Sequence, residues 1–154
     1  MRSKYYKYKK RGDIWAYYSV DYTDSYTKEM DSEGLKVLKW SMFDSPDKLG
    51  SGKMFMESPP VFILDQVYKE NRVKGFIEVG YLSKTVADKL SIPSDHPYRL
   101  GKGVKLRCKN KNVRMKIVKG LIQYGIERIH LYKESIYFDT DNYLKKPELL
   151  FFNE

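Results

Sequence analysis

The sequence has few of the residues that most often bind metals or act as nucleophiles. It contains one cysteine and two histidines in 154 residues. The single Cys108 excludes an intramolecular disulfide and a cysteine-rich zinc cluster, and we expect it to be a small buried side chain. Because the two histidines lie in segments unrelated to the cysteine, the sequence does not favour a serine or cysteine catalytic triad.

Long apolar runs and phosphate-binding motifs are also missing. No run of about 18 apolar residues is present, so we expect no transmembrane helix and no membrane partner. The basic start, MRSKYYKYKKRGD, is not followed by an apolar segment, so we expect no signal peptide. An intracellular location, in the cytoplasm, is therefore the default expectation, and a virion would also fit. Neither a P-loop nor a complete GxGxxG motif occurs.

Acidic residues are absent from two strongly basic segments. Residues 1–11 contain six basic side chains and residues 99–120 contain nine, in a chain whose net charge is +9. The second segment is either an ordinary solvated surface or a face that binds nucleic acid or an anionic cell-wall polymer. The residues predicted for such a basic face are Lys102, Lys105, Arg107, Lys109, Lys111 and Arg114.

Length and composition predict a single domain with a buried core and two terminal additions. Residues 1–34 are rich in tyrosine and lysine, show no sustained apolar period, and are interpreted as an extension. Residues 35–141 form the predicted domain and residues 142–154 a tail. The four apolar residues at 149–152 either pack on their own domain or dock on another subunit.

The apolar periods of the domain predict helices and mostly antiparallel strands, and therefore an α+β fold. The consecutive prolines at 59 and 60 are typical of a helix start. Ser83 is predicted to cap a short helix, and Asn112 to cap a helix over residues 113–124 that Gly125 ends. The predicted strands are residues 76–81, 104–107, 128–132 and 135–139.

Three sequence blocks occur in a recognisable order. They are FDSPD (43–47) with GSG (50–52), GY (80–81) with SDH (94–96), and RIHLY (128–132) with IYFDTD (136–141). Together they resemble the phage-type M15 family of zinc D-Ala-D-Ala carboxypeptidases and endolysins, over about two thirds of the chain. The resemblance implies a DD-peptidase/Hedgehog-like fold, in which a small, mostly antiparallel sheet is flanked by helices.

The resemblance also implies a zinc site, in which three protein ligands leave a fourth position open for water. His96 matches the first histidine ligand. Lys105, after a displacement of two residues, stands in place of the aspartate ligand, and Tyr137 in place of the last histidine. A leucine also replaces the arginine of the family's SGYR motif. The positions that the resemblance assigns to this site are Leu82, His96, Lys105, Glu134, Tyr137 and Asp139.

These replacements lead us to expect no metal, no other cofactor and no catalytic residue. Only His96 remains as a matching ligand, and the ammonium of Lys105 in place of a carboxylate would repel a dication. The function that we expect is a non-catalytic M15-fold protein, a structural or interaction component of a phage particle. Residues 1–34 and 147–154 would contact its other subunits.

Two alternatives stay open at this point. The first is a zinc-dependent peptidoglycan peptidase, an endolysin or carboxypeptidase, with an altered site built from His96, His130 and Asp139. The second is a module that binds peptidoglycan or nucleic acid through the basic face, which predicts salt-sensitive binding.

Overall fold

A computed structural model describes residues 2–7, 16–21, 34–73, 75–141 and 147–152, the first two ranges by their backbone. The elements in chain order are β1 (Arg2–Lys7), β2 (Ala16–Asp21), a 3₁₀ helix (Trp40–Phe43), α1 (Ser51–Phe55), α2 (Ser58–Asn71), β3 (Phe76–Val79), α3 (Lys84–Lys89), β4 (Gly103–Arg107), α4 (Lys111–Gln123), β5 (Arg128–Leu131), β6 (Ser135–Asp139) and β7 (Glu148–Phe151). Every helix in these ranges is too short or too polar to cross a membrane.

The strands form two sheets. β1 and β2 pair as an antiparallel hairpin, and the other five strands form a sheet in the order β3-β4-β6-β5-β7. In this sheet β5 and β7 run parallel, whereas the other neighbouring strands run antiparallel. The prediction of an α+β fold with a small, mostly antiparallel sheet is confirmed.

Alternation along the strands gives the five-stranded sheet two different faces. The buried strand residues that join the core with α2 and α4 are Ile77, Val104, Leu106, Ile129, Ile136 and Phe138. The residues between them point to the opposite side, because successive side chains of a strand alternate. Lys105 and Tyr137, which oppose each other across β4 and β6, lie on that side. We call the side of the sheet that carries them the open face.

Helix ends agree with the sequence prediction at α3 and differ at α4. The Ser83 hydroxyl accepts a hydrogen bond from the Val86 amide, so Ser83 is the predicted cap of α3. Asn110, and not Asn112, caps α4, because its Oδ1 accepts hydrogen bonds from the amides of Asn112 and Val113. Two asparagines flank Lys111, and the apolar period of the helix does not distinguish between them.

Both terminal additions contain strands that the sequence pattern did not predict. β1 and β2 lie within residues 1–34, and β7 lies within the tail. For residues 149–152 the structure shows packing on the chain's own domain, since Leu149 and Phe151 are in register with Ile129 and Leu131 of β5. The four consecutive apolar residues hid this strand, because they show no alternation with polar residues. The 3₁₀ helix and α1 were not predicted either.

Candidate functional site

His96, Lys105, Tyr137 and Asp139 share the open face of the sheet. His96 lies in the loop before β4, and its ring centroid is 6.0 Å from that of Tyr137. The Tyr137 hydroxyl donates a 2.7 Å hydrogen bond to Asp139 Oδ2. The fold therefore brings together residues that are up to 43 positions apart in the sequence (139 minus 96).

The other two predicted site residues, Leu82 and Glu134, lie elsewhere. The Leu82 side chain is buried, and its backbone amide donates to the Tyr98 carbonyl. Glu134 lies between β5 and β6, where its carboxylate is 3.8 Å from the Lys109 ammonium. No contact between this carboxylate and Tyr137 exists among the described side chains. Glu134 is therefore not placed to transfer a proton beside Tyr137.

Tyr137 fills the centre of the open face. Its side chain is 4% exposed, and its ring packs against those of Tyr98 and His130 at centroid distances of 5.5 and 5.0 Å. Burial raises the pKa of Tyr137 far above its usual range, and the neighbouring Asp139 raises it further. The phenol therefore stays protonated and acts as a hydrogen-bond donor, which makes it a poor metal ligand.

Asp139 is fully buried, and both of its carboxylate oxygens accept hydrogen bonds. Oδ2 accepts from the Tyr137 hydroxyl and, at 3.1 Å, from Arg128 Nε. Oδ1 accepts a 3.0 Å hydrogen bond from the Asp141 amide. These hydrogen bonds, together with the positive charge of Arg128, stabilise the Asp139 carboxylate in its buried position.

Arg128 extends this set of contacts to β7. A second nitrogen of its guanidinium donates a 2.8 Å hydrogen bond to Glu148 Oε1, which also lies 2.5 Å from His130 Nε2. The hydrogen bond from His130, together with the charge of Arg128, lowers the pKa of Glu148. We call the connected residues Tyr137, Asp139, Arg128, Glu148 and His130 the open-face network. It links strands β6, β5 and β7.

The residues on the open face do not fit a zinc ion. A catalytic zinc site needs three protein ligands and an open position for water. His96 Nδ1 already accepts a 3.1 Å hydrogen bond from the Tyr98 amide. Within the ranges that the structure covers, no group of three or more histidine, cysteine, aspartate or glutamate side chains could hold a metal. In the alternative site built from His96, His130 and Asp139, the His130 and Asp139 side chains are engaged in contacts with Glu148 and Arg128.

Lys105 is not the residue that adjoins the Tyr137 hydroxyl. Its ammonium lies 4.3 Å from the ring centroid of Tyr132 and 4.0 Å from Glu78 Oε2. Gly103, which is seven residues after His96, occupies the place beside Tyr137. A Cβ added at Gly103 would lie 3.3 Å from the Tyr137 hydroxyl oxygen. In the M15 pattern the aspartate ligand comes seven residues after the first histidine. Without a displacement that position is Gly103, which has no metal-binding side chain.

Four of the six residues of the predicted basic face pair with acidic residues from other segments, whereas Lys111 and Arg114 have no acidic partner among the described residues. The ion pairs are Lys102–Asp141 at 3.6 Å, Lys105–Glu78 at 4.0 Å, Arg107–Glu78 at 3.0 Å and Lys109–Glu134 at 3.8 Å. Arg114 instead donates to the carbonyls of Cys108, Ser135 and Tyr132. Residues 99–120 contain no acidic residue, but the fold places acidic residues from other segments next to them.

The FDSPD and GSG blocks form a loop that is tied together by hydrogen bonds. The Asp44 carboxylate accepts from the amides of Gly50 and Gly52 at 3.0 and 2.7 Å. The Asp47 carboxylate accepts from the hydroxyl of Ser83, the cap of α3, at 2.9 and 2.8 Å. These contacts attach the loop before α1 to the start of α3. The blocks thus have a structural role and contribute nothing to the open-face network.

Sequence reasoning missed two residues of the network, Arg128 and Glu148. The first could have been found, because Arg128 and His130 alternate with apolar residues and so had to share a face of β5. Glu148 had no such signal, since β7 was not predicted and its pairing with β5 spans 20 residues (148 minus 128).

Comparisons with known proteins yield no similar protein. No protein-family model matches the chain, and no curated protein and no solved structure matches it. The similarity to the M15 family rests on the sequence blocks alone.

Proposed function

We propose that the chain is a non-catalytic protein of the M15-peptidase type that acts by binding other proteins, as a structural or interaction component of a phage particle. The observation that carries this proposal is the open-face network. At the positions where the resemblance puts zinc ligands, Tyr137 and Asp139 are bonded to each other and to Arg128.

The burial of these groups supports a role without catalysis. A catalytic metal site keeps a position open to water and substrate. Asp139 is fully buried and Tyr137 nearly so, which leaves neither of them facing a substrate. The carboxylate that could move a proton is also held in an ion pair with Arg128 at 3.1 Å. These contacts favour a scaffold over a reaction site.

Exposed apolar residues support the role in binding. In the tail, the exposed fractions of Leu149 and Phe151 are 50% and 73%, and nearby Met115 on α4 is 58% exposed. Contiguous apolar surface of this kind often marks an interaction site. The part of the hypothesis that concerns residues 1–34 lies outside the described residues, apart from the backbone of β1 and β2 and the exposed Gly34.

The experiment is a measurement of bound zinc by elemental analysis, after the full chain has been exposed to zinc and desalted. We expect less than stoichiometric zinc in the wild type. The variant G103D/Y137H places histidine, aspartate and histidine at the three positions that the M15 pattern assigns to the ligands, and it is expected to gain zinc, with a shift of Pro97, whose Cβ lies 2.9 Å from a Cβ at position 103. The matched variant G103D/Y137F makes the same shift and is not expected to gain zinc. Circular dichroism checks that each variant is folded.

Stoichiometric zinc in the wild type that disappears in His96→Ala would contradict the proposal. Cleavage of purified peptidoglycan by the same sample, abolished by a chelator, would then identify the chain as a zinc peptidase with an altered site.

A further inference from the structure

An apolar groove lies between α4 and the edge of the sheet formed by β5 and β7. Its volume is about 760 Å³. The side chains that line it are Lys111, Arg114, Met115, Val118, Leu131, Tyr132, Lys133, Leu149, Phe151 and Phe152. We call it the α4–β7 groove. Most of its lining residues lie on the helix side of the sheet. Tyr132 and Phe152 lie at the sheet edge, where they also contact Lys105 and His130 of the open face.

The groove exists because β7 adds a strand that the helices do not cover. Leu149 and Phe151 are in register with Ile129 and Leu131, so their side chains point toward the helix side. Ile129 is buried in the core, but Leu149 and Phe151 remain 50% and 73% exposed. An apolar sheet face normally packs against another layer of structure. Beside α4, that layer is missing among the described residues.

The rim of the groove is positively charged. Lys111, Arg114 and Lys133 are the charged side chains that line it, and no acidic side chain of the described residues does. Arg114 donates to three carbonyls, and none of the three cations has an acidic partner among the residues that the structure describes. On the open face, by contrast, Lys105 and Arg107 both pair with Glu78.

We propose that the α4–β7 groove binds an acidic amphipathic helix of a partner protein. The helix inserts apolar side chains between Met115 and Phe151, and its acidic residues face Lys111 and Lys133. This inference rests on the proposed function and names the chemistry of the partner. A helix suits the groove because the open space lies beside α4, over the face of the sheet, where a helix completes the layer.

Charge favours a partner over a second copy of this chain. Two copies that met at this groove would bring two identical basic rims together, in molecules that each carry a net charge of +9. Like charges facing each other across an interface weaken association, whereas an acidic helix would neutralise the rim.

The first experiment selects ligands from a displayed library of random peptides about 18 residues long, enough for about five helical turns. The full chain, immobilised, is the target. We expect the selected peptides to contain aspartate or glutamate, with apolar residues spaced three and four positions apart. A selection that returns no binder, or only basic or unpatterned peptides, overturns the proposal.

The second experiment maps the binding site of a selected peptide by fluorescence anisotropy. Phe151→Ser and the double variant K111E/K133E should each weaken binding by about ten-fold or more, because one removes the apolar anchor and the other reverses the rim charge. The matched controls Phe76→Ser, also at an exposed strand position (68%), and Lys116→Glu, elsewhere on α4, should bind as the wild type does. Equal affinities for all variants would place the peptide elsewhere and overturn the proposal.

Two further measurements test other occupants. Sedimentation that shows a dimer in the wild type but not in Phe151→Ser would assign the groove to a second copy. Binding to phosphatidylserine-containing vesicles that Phe151→Ser abolishes would assign it to a lipid surface. Either result overturns the proposal. Zinc content and peptidoglycan cleavage are independent of the groove, so the failure of the non-catalytic function and the failure of this inference are distinguishable.

Discussion

The two faces of the five-stranded sheet are stabilised in different ways. On the helix side, Leu106 and Phe138 are completely buried among other apolar side chains. On the open face, Asp139 is equally buried, but its contacts are hydrogen bonds and an ion pair with Arg128. Neighbouring residues of β6 thus depend on opposite kinds of interaction.

The two faces should differ in how the substitution of one residue affects the stability of its neighbours. Apolar burial is roughly proportional to area, so a truncated core side chain costs its own contacts and leaves a cavity. A buried polar network depends on each member having a partner, because an unpaired buried charge is strongly destabilising. We therefore expect changes on the helix side to act locally, and changes on the open face to depend on which partner remains.

The largest effect is expected for Phe138→Ala on the helix side. The substitution removes a fully buried ring that packs in the core cluster. We expect the free energy of unfolding to fall by about 3–5 kcal/mol. Denaturant unfolding followed by circular dichroism measures this change. Phe138→Leu is the control, and a similar loss in that variant would contradict a simple cavity effect.

On the open face, Arg128→Met is expected to cost about 3 kcal/mol, because it leaves the buried Asp139 without its cation. The Arg128 side chain is 10% exposed, which places the effect at the lower end for a buried pair. The double variant R128M/D139N removes both charges and should be more stable than R128M alone. If the loss of stability in the double variant equalled the sum of the losses in R128M and D139N, the broken ion pair would not be the cause of the loss in R128M.

A smaller effect is expected for Tyr137→Phe, which keeps the ring and removes the hydroxyl. Its hydrogen bond to Asp139 is lost, but Arg128 still donates to the same oxygen. We expect a loss of about 1 kcal/mol in the same unfolding experiment. The comparison with Phe138→Ala separates the two faces at adjacent positions of one strand. Equal losses would show that the two faces do not depend on different kinds of interaction.

The helix side of the sheet could be predicted from the sequence, and most of the open face could not. Alternation of Val104 and Leu106 with Lys105 and Arg107 correctly indicated a strand with one charged face. The pairing of Lys105 with Glu78 depends instead on the neighbouring strand β3. Such a partner is fixed by strand order and register, which residue patterns within one segment do not specify.

The tail illustrates the same limit. Its apolar residues predicted docking without indicating where, since a parallel pairing with β5 needs no local turn signal. The place of Gly103 beside Tyr137 was likewise hidden, because only the cross-strand register brings this glycine opposite Asp139.

The smallest effect that we predict concerns pH and the attachment of β7. Because the folded state lowers the pKa of Glu148, its stabilising contribution is present above the pH at which a free glutamate titrates, about 4.3, and is lost as the pH falls through the folded value. Arg128 and His130 are the charged and titratable groups that contact it. Glu148→Gln should therefore be less stable than the wild type at neutral pH, and the difference should shrink in acid.

Denaturant unfolding of the wild type and of Glu148→Gln between neutral and acidic pH measures this convergence. Glu127→Gln, at an exposed neighbouring position, is the matched control and should leave the acid limb of the stability curve unchanged. Parallel stability curves for the wild type and Glu148→Gln would show that Glu148 does not hold β7 through its charge. In that case the backbone pairing of β7 with β5 and the contacts of Leu149 and Phe151 would attach the tail without it.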